Sequence, residues 1–155
     1  MVASPHLLKT MGLQFSREIL YNDPNPEQKM WRAVIINAFD ETFIYRTDRR
    51  SSLIKMNAHN WILSKSDDFQ TVCNWANVDS ELISTSYKTA CETNKIRFKH
   101  KQIAWKKYDK SYKLMQKEKN PKIKYRWKKE ILRIRRSIIT SSDCFVTTLV
   151  NYVIA

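Results

Sequence analysis

Residues 71–84 read TVCNWANVDSELIS, and this stretch decides the fold that we expect. It predicts a short helix, a tight turn at Asn77, a buried Val78 and a second helix capped by Asp79 or Ser80. Asn is one of the few residues that adopts a left-handed backbone at modest cost, so it suits a turn between two packed helices. The stretch therefore predicts two helices that meet across a short turn.

This pattern resembles the helix-turn-helix of many bacterial and phage DNA-binding proteins. In that family a small residue lies in the first helix, Gly or Asn takes the left-handed turn, Val follows it, and an aliphatic residue comes five positions later. Those places are held here by Cys73, Asn77, Val78 and Ile83. The resemblance covers residues 69–89 and implies a DNA-binding domain. An ordinary helical hairpin inside the core is the alternative.

The second helix of this pattern would present its outward residues to nucleic acid, as the recognition helix of the family does. Ser84, Thr85 and Lys88 are outward at helical spacing, and their hydroxyl and amino groups suit contacts to phosphates or base edges. Asp79 and Glu81 lie near the end that would approach DNA, where acidic groups repel phosphates. The helix therefore offers hydrogen-bond donors for recognition, but its acidic residues oppose the approach of phosphates.

Two runs give the chain a wider likeness to small phage proteins. They are EQKMWRAVIINAFD at residues 27–40 and FQTVCNWANVD at residues 69–79. This likeness implies a phage origin and transfers no activity.

The segments before residue 45 predict two helices. Residues 6–21 have helical periodicity, and the run NDPNP at residues 22–26 ends that helix. Asn25 is a suitable cap and Pro26 a suitable first residue for the next helix. We take residues 1–25 as an N-terminal helix and linker.

Residues 26–93 are expected to form one compact helical domain. Residues 45–52 predict a turn, a helix follows to about Ser64, and Asp67 or Asp68 is the expected cap of the next helix. The side chains expected in the core are Trp31, Val34, Ile35, Phe39, Trp61, Ile62, Phe69, Val72, Ala76, Val78 and Ile83.

The positive charge of the chain is concentrated in one segment. Residues 95–136 hold 18 Lys or Arg against three acidic residues, a net charge of +15. The other 113 residues hold 10 basic and 12 acidic side chains, a net charge of −2. Such a local field attracts polyanions and weakens with salt, which fits nucleic acid or an anionic membrane surface. A solvated lysine-rich face is the alternative.

This basic segment predicts an antiparallel helical hairpin over residues 95–139, after a short extended connector at residues 95–99. Two seams have heptad-like spacing, and Pro121 lies at the break between the helices. The seams are Trp105, Tyr108, Tyr112 and Met115, then Trp127, Ile131, Ile134 and Ile138. The cations proposed to contact phosphates are Lys106, Lys110, Lys113, Lys124, Arg126, Lys128, Arg135 and Arg136.

Residues 140–155 return abruptly to β-branched and aromatic side chains. They predict a short strand or an apolar tail, with a sister subunit as the natural partner for a lone strand.

The residue pattern favours no enzyme, cofactor or metal. Gly12 is the only glycine, so a Gly-rich phosphate loop is excluded, and no catalytic signature is present. Cys73, Cys91 and Cys144 lack zinc-ligand spacing and are interpreted as buried apolar residues in a reducing compartment. No run is long enough to span a membrane, so we expect a cytoplasmic protein, in a host cell or virion if it is phage-encoded.

The sequence thus predicts an all-α protein: a helical domain with a helix-turn-helix, a basic helical hairpin, and a short C-terminal strand or tail. The leading hypothesis is a regulatory nucleic-acid-binding protein, with DNA favoured over RNA. The alternative is an assembly component that resembles small terminases, which run from a helix-turn-helix through an oligomerising hairpin to a C-terminal strand.

Overall fold

A computed structural model describes residues 4–21, 23–141 and 144–146 of the chain. These residues are predominantly helical, with one two-stranded antiparallel sheet. The helices are α1 (Pro5–Met11), α2 (Leu13–Leu20), α3 (Pro26–Thr42), α4 (Arg49–Ser64), α5 (Asp67–Trp75), α6 (Ser80–Glu92), α7 (His100–Lys117) and α8 (Pro121–Thr140). The strands are β1 (Phe98–Lys99) and β2 (Phe145–Val146). The all-α expectation is confirmed.

The N-terminal segment forms two helices rather than the single helix expected for residues 6–21. Gly12 separates α1 from α2 with φ +88° and ψ 179°, a backbone that side-chain-bearing residues rarely adopt. Its N–H still donates to the carbonyl of Leu8 and closes α1. Leu7 and Phe15 are fully buried, so these helices belong to the same core as the rest of the domain.

Most of the expected core is buried, with three exceptions. Ile35, Phe39, Ile62, Phe69, Val72, Ala76, Val78 and Ile83 are buried. Val34 is 41% exposed, and Trp31 and Trp61 are half-buried, so the expectation was wrong for Val34. The buried stripe of α3 runs instead through Arg32, three residues before Ile35 and four before Ile36, although a charged side chain is usually exposed.

Helix α5, a short turn and α6 reproduce the local geometry expected from residues 71–84. Asn77 has φ +52°, Val78 is buried, and the Asp79 carboxylate accepts from the N–H groups of Glu81 and Leu82 at the start of α6. The turn therefore depends on the side chains that the pattern identified.

Arg32 ties this turn to the end of α2. Its guanidinium is buried and donates to the carbonyls of Ala76 at 2.9 Å and Asn77 at 3.3 Å, and to those of Ile19 and Tyr21, both at 3.0 Å. Carbonyls at helix ends lack partners within their helix, so a planar cation with several donors satisfies them together. One side chain thus holds three elements in register.

Two helix starts differ from the expected ones. Asp48 accepts from the N–H of Ser51, so α4 begins at Arg49, inside the segment expected to be a turn. Ser66, not Asp67 or Asp68, caps α5 by accepting from the N–H of Phe69. Both carboxylates lie in the first turn of α5, where they complement the helix dipole.

Helices α7 and α8 form the expected antiparallel hairpin, and Asn120 caps α8 at Pro121. Ile131, Ile134 and Ile138 of α8 are buried, as their seam predicts. The aromatic side of α7 packs elsewhere, since Trp105 donates from its indole N–H to the carbonyl of Thr47 at 3.0 Å and Tyr108 lies under the guanidinium of Arg49. Helix α7 therefore lies between α4 and α8.

The C-terminal strand pairs within its own chain. Phe98 is opposite Val146 and Lys99 is opposite Phe145, and the N–H of His100 donates to the carbonyl of Cys144. Residues 144–146 therefore do not need a sister subunit to satisfy their backbone. Residues 142–143 and 147–155 of the expected tail lie outside the described residues.

Candidate nucleic-acid interface

The exposed side of α7 carries a row of four lysines. Lys106, Lys110, Lys113 and Lys117 recur at intervals of 4, 3 and 4 residues, which places them on one face of a helix. Gln102, one turn before Lys106, is buried and donates to the carbonyls of Ile44 at 2.9 Å and Arg46 at 3.0 Å, which holds the start of α7 against the segment that follows α3. Docking of α7 on the domain thus determines where this row, called the α7 row, points.

The cations of the α7 row repel one another. Burial lowers the pKa of Lys106. The positive charges of Lys113 and Lys110 lower this pKa further, whereas the negative charge of Asp109 raises it. The Asp109 carboxylate is itself buried and forms ion pairs with Lys113 at 2.8 Å and with Arg49 at 3.6 Å. One carboxylate thus interacts with several cations. An anionic ligand would reduce the repulsion that remains between the lysines.

Helix α8 carries two further rows of cations on different sides. Successive residues of a helix are rotated by about 100°, so residues three and four apart share a face. The cavity-side row is Lys122, Arg126, Lys129, Arg133 and Arg136, and the far row is Lys124, Lys128 and Arg135. The five α8 cations expected to bind phosphates divide between these two rows.

A cavity of about 350 Å³ lies between α7 and α8. Its polar lining includes His100, Lys107, Glu130 and Arg133. Arg133 donates to both carboxylate oxygens of Glu130, at 2.6 and 3.0 Å, and these hydrogen bonds lower the pKa of Glu130. Arg133 is the member of the cavity-side row that lines this cavity, together with Lys107 of α7.

Three apolar side chains lie exposed between the two rows of α8. Tyr125, Leu132 and Ile139 are 59%, 54% and 73% exposed and follow one another at intervals of seven residues. The sequence favours Tyr125 as an exposed contact, but an interpretation that follows the buried seam does not identify Leu132 and Ile139. The signal was present as a repeat, YRWKKEI at residues 125–131 and LRIRRSI at residues 132–138.

Helix α6 is less suited to nucleic acid than its resemblance implies. Ser84 is buried and donates to the carbonyl of Ile62 at 3.3 Å, so its expected role as a contact residue is wrong in this structure. Thr85 and Lys88 are exposed, but Glu81 and Glu92 are exposed on the same helix.

The start of α6 is surrounded by further acidic groups. Asp79 caps the helix, and the N–H of Asp79 donates to the Glu18 carboxylate at 2.8 Å. The first-turn residue Glu81 bonds to Lys65 at 2.6 Å. Phosphates approaching this end would meet carboxylates in place of unpaired N–H groups.

The remaining candidate residues differ in how available they are. Lys106 is half-buried and donates to the Asn57 side chain at 2.6 Å. Lys124 is also half-buried, whereas the other hairpin cations proposed as contacts are exposed: Lys110, Lys113, Arg126, Lys128, Arg135 and Arg136. The structure therefore offers the hairpin, more than α6, as a charged surface.

Two further polar side chains of the core, Lys55 and His59, have partners within the chain. Lys55 donates to the carbonyls of Ile44 and Arg97, and burial lowers its pKa to about 8. His59 Nδ1 lies 2.7 Å from the Tyr87 hydroxyl. Within the described residues, no three His, Cys, Asp or Glu side chains are grouped so that they could hold a metal ion.

The cysteines do not share one environment. Cys73 and Cys91 are buried, and burial raises the pKa of each thiol to about 12. Cys144 is exposed, which corrects the interpretation of all three as buried residues.

Comparisons with protein-family models, with curated proteins and with solved structures found no match to this chain. Among the helices within the described ranges, none combines the length and apolar character needed to cross a bilayer. A function has to be inferred from the residues of the chain itself.

Proposed function

We propose that this chain binds nucleic acid through the hairpin of α7 and α8. The observation that carries the proposal is the arrangement of the hairpin cations in rows along exposed helix faces, within a segment of net charge +15. Rows of Lys and Arg at helical spacing present a line of charge to a phosphate backbone, and the release of counterions supplies the affinity. The rest of the chain has a net charge of −2 and contributes little to this attraction.

Charge reversal on α8 tests the proposal. Lys124, Lys128, Arg135 and Arg136 are changed together to Glu, and binding to a fluorescent DNA duplex is titrated at three salt concentrations. We expect weaker binding to every sequence and a flatter salt dependence, because each lost phosphate contact removes about 0.9 from the slope of log affinity against log salt.

The matched control reverses four exposed cations outside the hairpin: Lys9, Arg17, Lys29 and Arg50. Both variants change the net charge by the same amount, so a general charge effect would weaken them equally. If the hairpin variant bound as well as the parent, or no more weakly than the control, the proposal would be wrong.

A contribution of α6 is tested separately through its two exposed candidates. We expect Thr85→Ala combined with Lys88→Ala to keep most of the salt slope, since only one cation is removed. A large loss of preference among DNA sequences in this variant would assign base recognition to α6.

We propose a regulatory role in preference to an assembly role. The assembly hypothesis drew on the order of a helix-turn-helix, an oligomerising hairpin and a C-terminal strand, and residues 145–146 pair within the chain rather than with a sister subunit. Native mass spectrometry distinguishes the two roles: a monomer or dimer supports regulation, and a ring of eight or more copies would support packaging.

A further inference from the structure

The outward face of α8 is a narrow apolar line between cations. Tyr125, Leu132 and Ile139 form this line, since a spacing of seven residues returns a helix almost to the same direction. Helix α7 covers the opposite side of α8, where the isoleucines of the seam are buried. The apolar line therefore points away from the body of the protein.

The repeat places cations on both sides of this line. Tyr125 is followed by Lys128 and Lys129, and Leu132 by Arg135 and Arg136. A residue three positions later lies about 60° to one side, and a residue four positions later about 40° to the other side. Lys and Arg thus flank the apolar line along its length.

This arrangement fits a helix lying in the major groove of duplex DNA. The groove of B-form DNA is about 12 Å wide and admits an α-helix of about 10–12 Å, with phosphate strands along both edges. Cations on both sides of the helix then face the two strands. The apolar line faces the base edges, where the thymine methyl group is the apolar feature.

The length of the line agrees with this placement. Residues 125–139 span about 21 Å at 1.5 Å per residue, which corresponds to about six steps of 3.4 Å along one DNA strand. Three apolar side chains thus reach base pairs spread over about half a turn of duplex.

Other occupants match this face less well. A second copy of α8 would bring like charges together, and a helical seam needs two apolar positions per heptad where this line has one. A membrane surface favours a broad apolar face, and single-stranded nucleic acid favours several aromatic platforms, whereas Tyr125 is the single aromatic side chain of the line.

We infer that α8, and not α6, is the helix that enters the major groove of B-form duplex DNA. Tyr125, Leu132 and Ile139 contact thymine methyl groups, and the flanking cations contact the phosphates of both strands. This inference rests on the proposed function and names the partner of the same surface.

The form of the nucleic acid provides the first test. The full-length protein is titrated at one salt concentration with a DNA duplex, an RNA duplex of the same sequence, its single strands and phosphatidylserine vesicles. The major groove of A-form RNA is too deep and narrow for side chains to read, so we expect at least tenfold weaker binding to the RNA duplex. Equal or tighter binding to RNA duplex, single strands or vesicles would overturn the inference.

Removal of the thymine methyl groups provides the second test. An AT-rich duplex is compared with the same duplex in which every thymine is replaced by uracil. Each lost methyl contact is expected to weaken binding about fourfold, from the free energy of burying one methyl-sized group. The variant Leu132→Ala with Ile139→Ala should bind more weakly and show little difference between the two duplexes.

Leu13→Ala is the control for this variant, because Leu13 is equally apolar and 66% exposed but lies on α2. It should retain the parent's preference for thymine, and melting curves should show that all variants are folded. DNA binding without a thymine preference, or with one that the α8 variant retains, would overturn the inference and leave the proposed function standing. Absence of binding to every nucleic acid would overturn both.

Discussion

The helical core and the basic hairpin use cationic side chains in opposite ways. In the core, Arg32 and Lys55 are buried and donate to backbone carbonyls, so their charges hold helix ends and loops together. On the hairpin, most Lys and Arg are exposed at helical spacing. The same residue types therefore stabilise the fold in one region and leave charge available for a partner in the other. Substitutions in the two regions should have separable effects on unfolding and on binding.

The largest effect on unfolding is expected for Val78→Asp. Val78 is 7% exposed, and an aspartate there would bury an unpaired charge where the turn packs, at a cost of about 3 kcal/mol or more. Urea denaturation followed by circular dichroism measures the change. Val34→Asp is the control, because Val34 is 41% exposed and should tolerate the charge at much lower cost. Equal losses in both variants would place the packing of the turn in doubt.

Acidification should also destabilise the core, through His59. Burial lowers the pKa of His59, and with the smaller effect of the positive charge of Lys55 the pKa reaches about 4. Between about pH 6.5 and pH 4 the unfolded chain binds a proton at this imidazole that the folded chain does not. Stability present at neutral pH is therefore lost as the pH falls through this window, by about 3 kcal/mol in total.

The contribution of His59 is isolated by comparing the parent with His59→Gln between pH 7 and pH 4. Carboxylates titrate in both proteins, so the difference between the two curves reports His59 alone. The parent should lose more stability than the variant across this range. Parallel curves would show that His59 is not held neutral by the core.

The part of the fold that follows from local chemistry could be predicted from sequence. Asn77, Val78 and Ile83 behave as the turn pattern requires, and Asn25 caps α3 through a reciprocal bond with Gln28. These features depend on residues within one or two helical turns of each other, so their signals lie in a short stretch.

Features that depend on distant contacts were not predictable in this way. Ser84 has a polar side chain at a helical position, yet contact with the carbonyl of Ile62 on α4 buries it. Arg32 is buried because carbonyls from two separate segments, the end of α2 and the turn after α5, converge on it. The outward line of α8 becomes visible once the side covered by α7 is known. Sequence periodicity gives the angle between faces of a helix but not which face has a neighbour.

A smaller effect is expected at the turn itself. Asn77 has φ +52°, so Asn77→Gly should change the free energy of unfolding by no more than about 0.5 kcal/mol, and Asn77→Val should cost about 1–2 kcal/mol. Thermal melting of the two variants beside the parent measures the difference. If valine were as stable as glycine, the backbone at residue 77 would not be left-handed in solution.

The smallest effect on unfolding is expected for the charge-reversed hairpin. Of the four substituted residues of the Glu variant, Lys128, Arg135 and Arg136 are exposed and Lys124 is half-buried. Reversing four cations lowers the net charge from +13 to +5, which relieves repulsion within the hairpin. Exposed substitutions usually change stability by less than about 0.5 kcal/mol each, so gains and losses should leave the total within about 1 kcal/mol of the parent. Urea denaturation at low and high salt measures this, and the small difference should shrink further at high salt because screening weakens repulsion between exposed charges. A loss of several kcal/mol would show that these cations stabilise the fold. The distinction between buried cations that stabilise the core and exposed hairpin cations that do not would then be wrong.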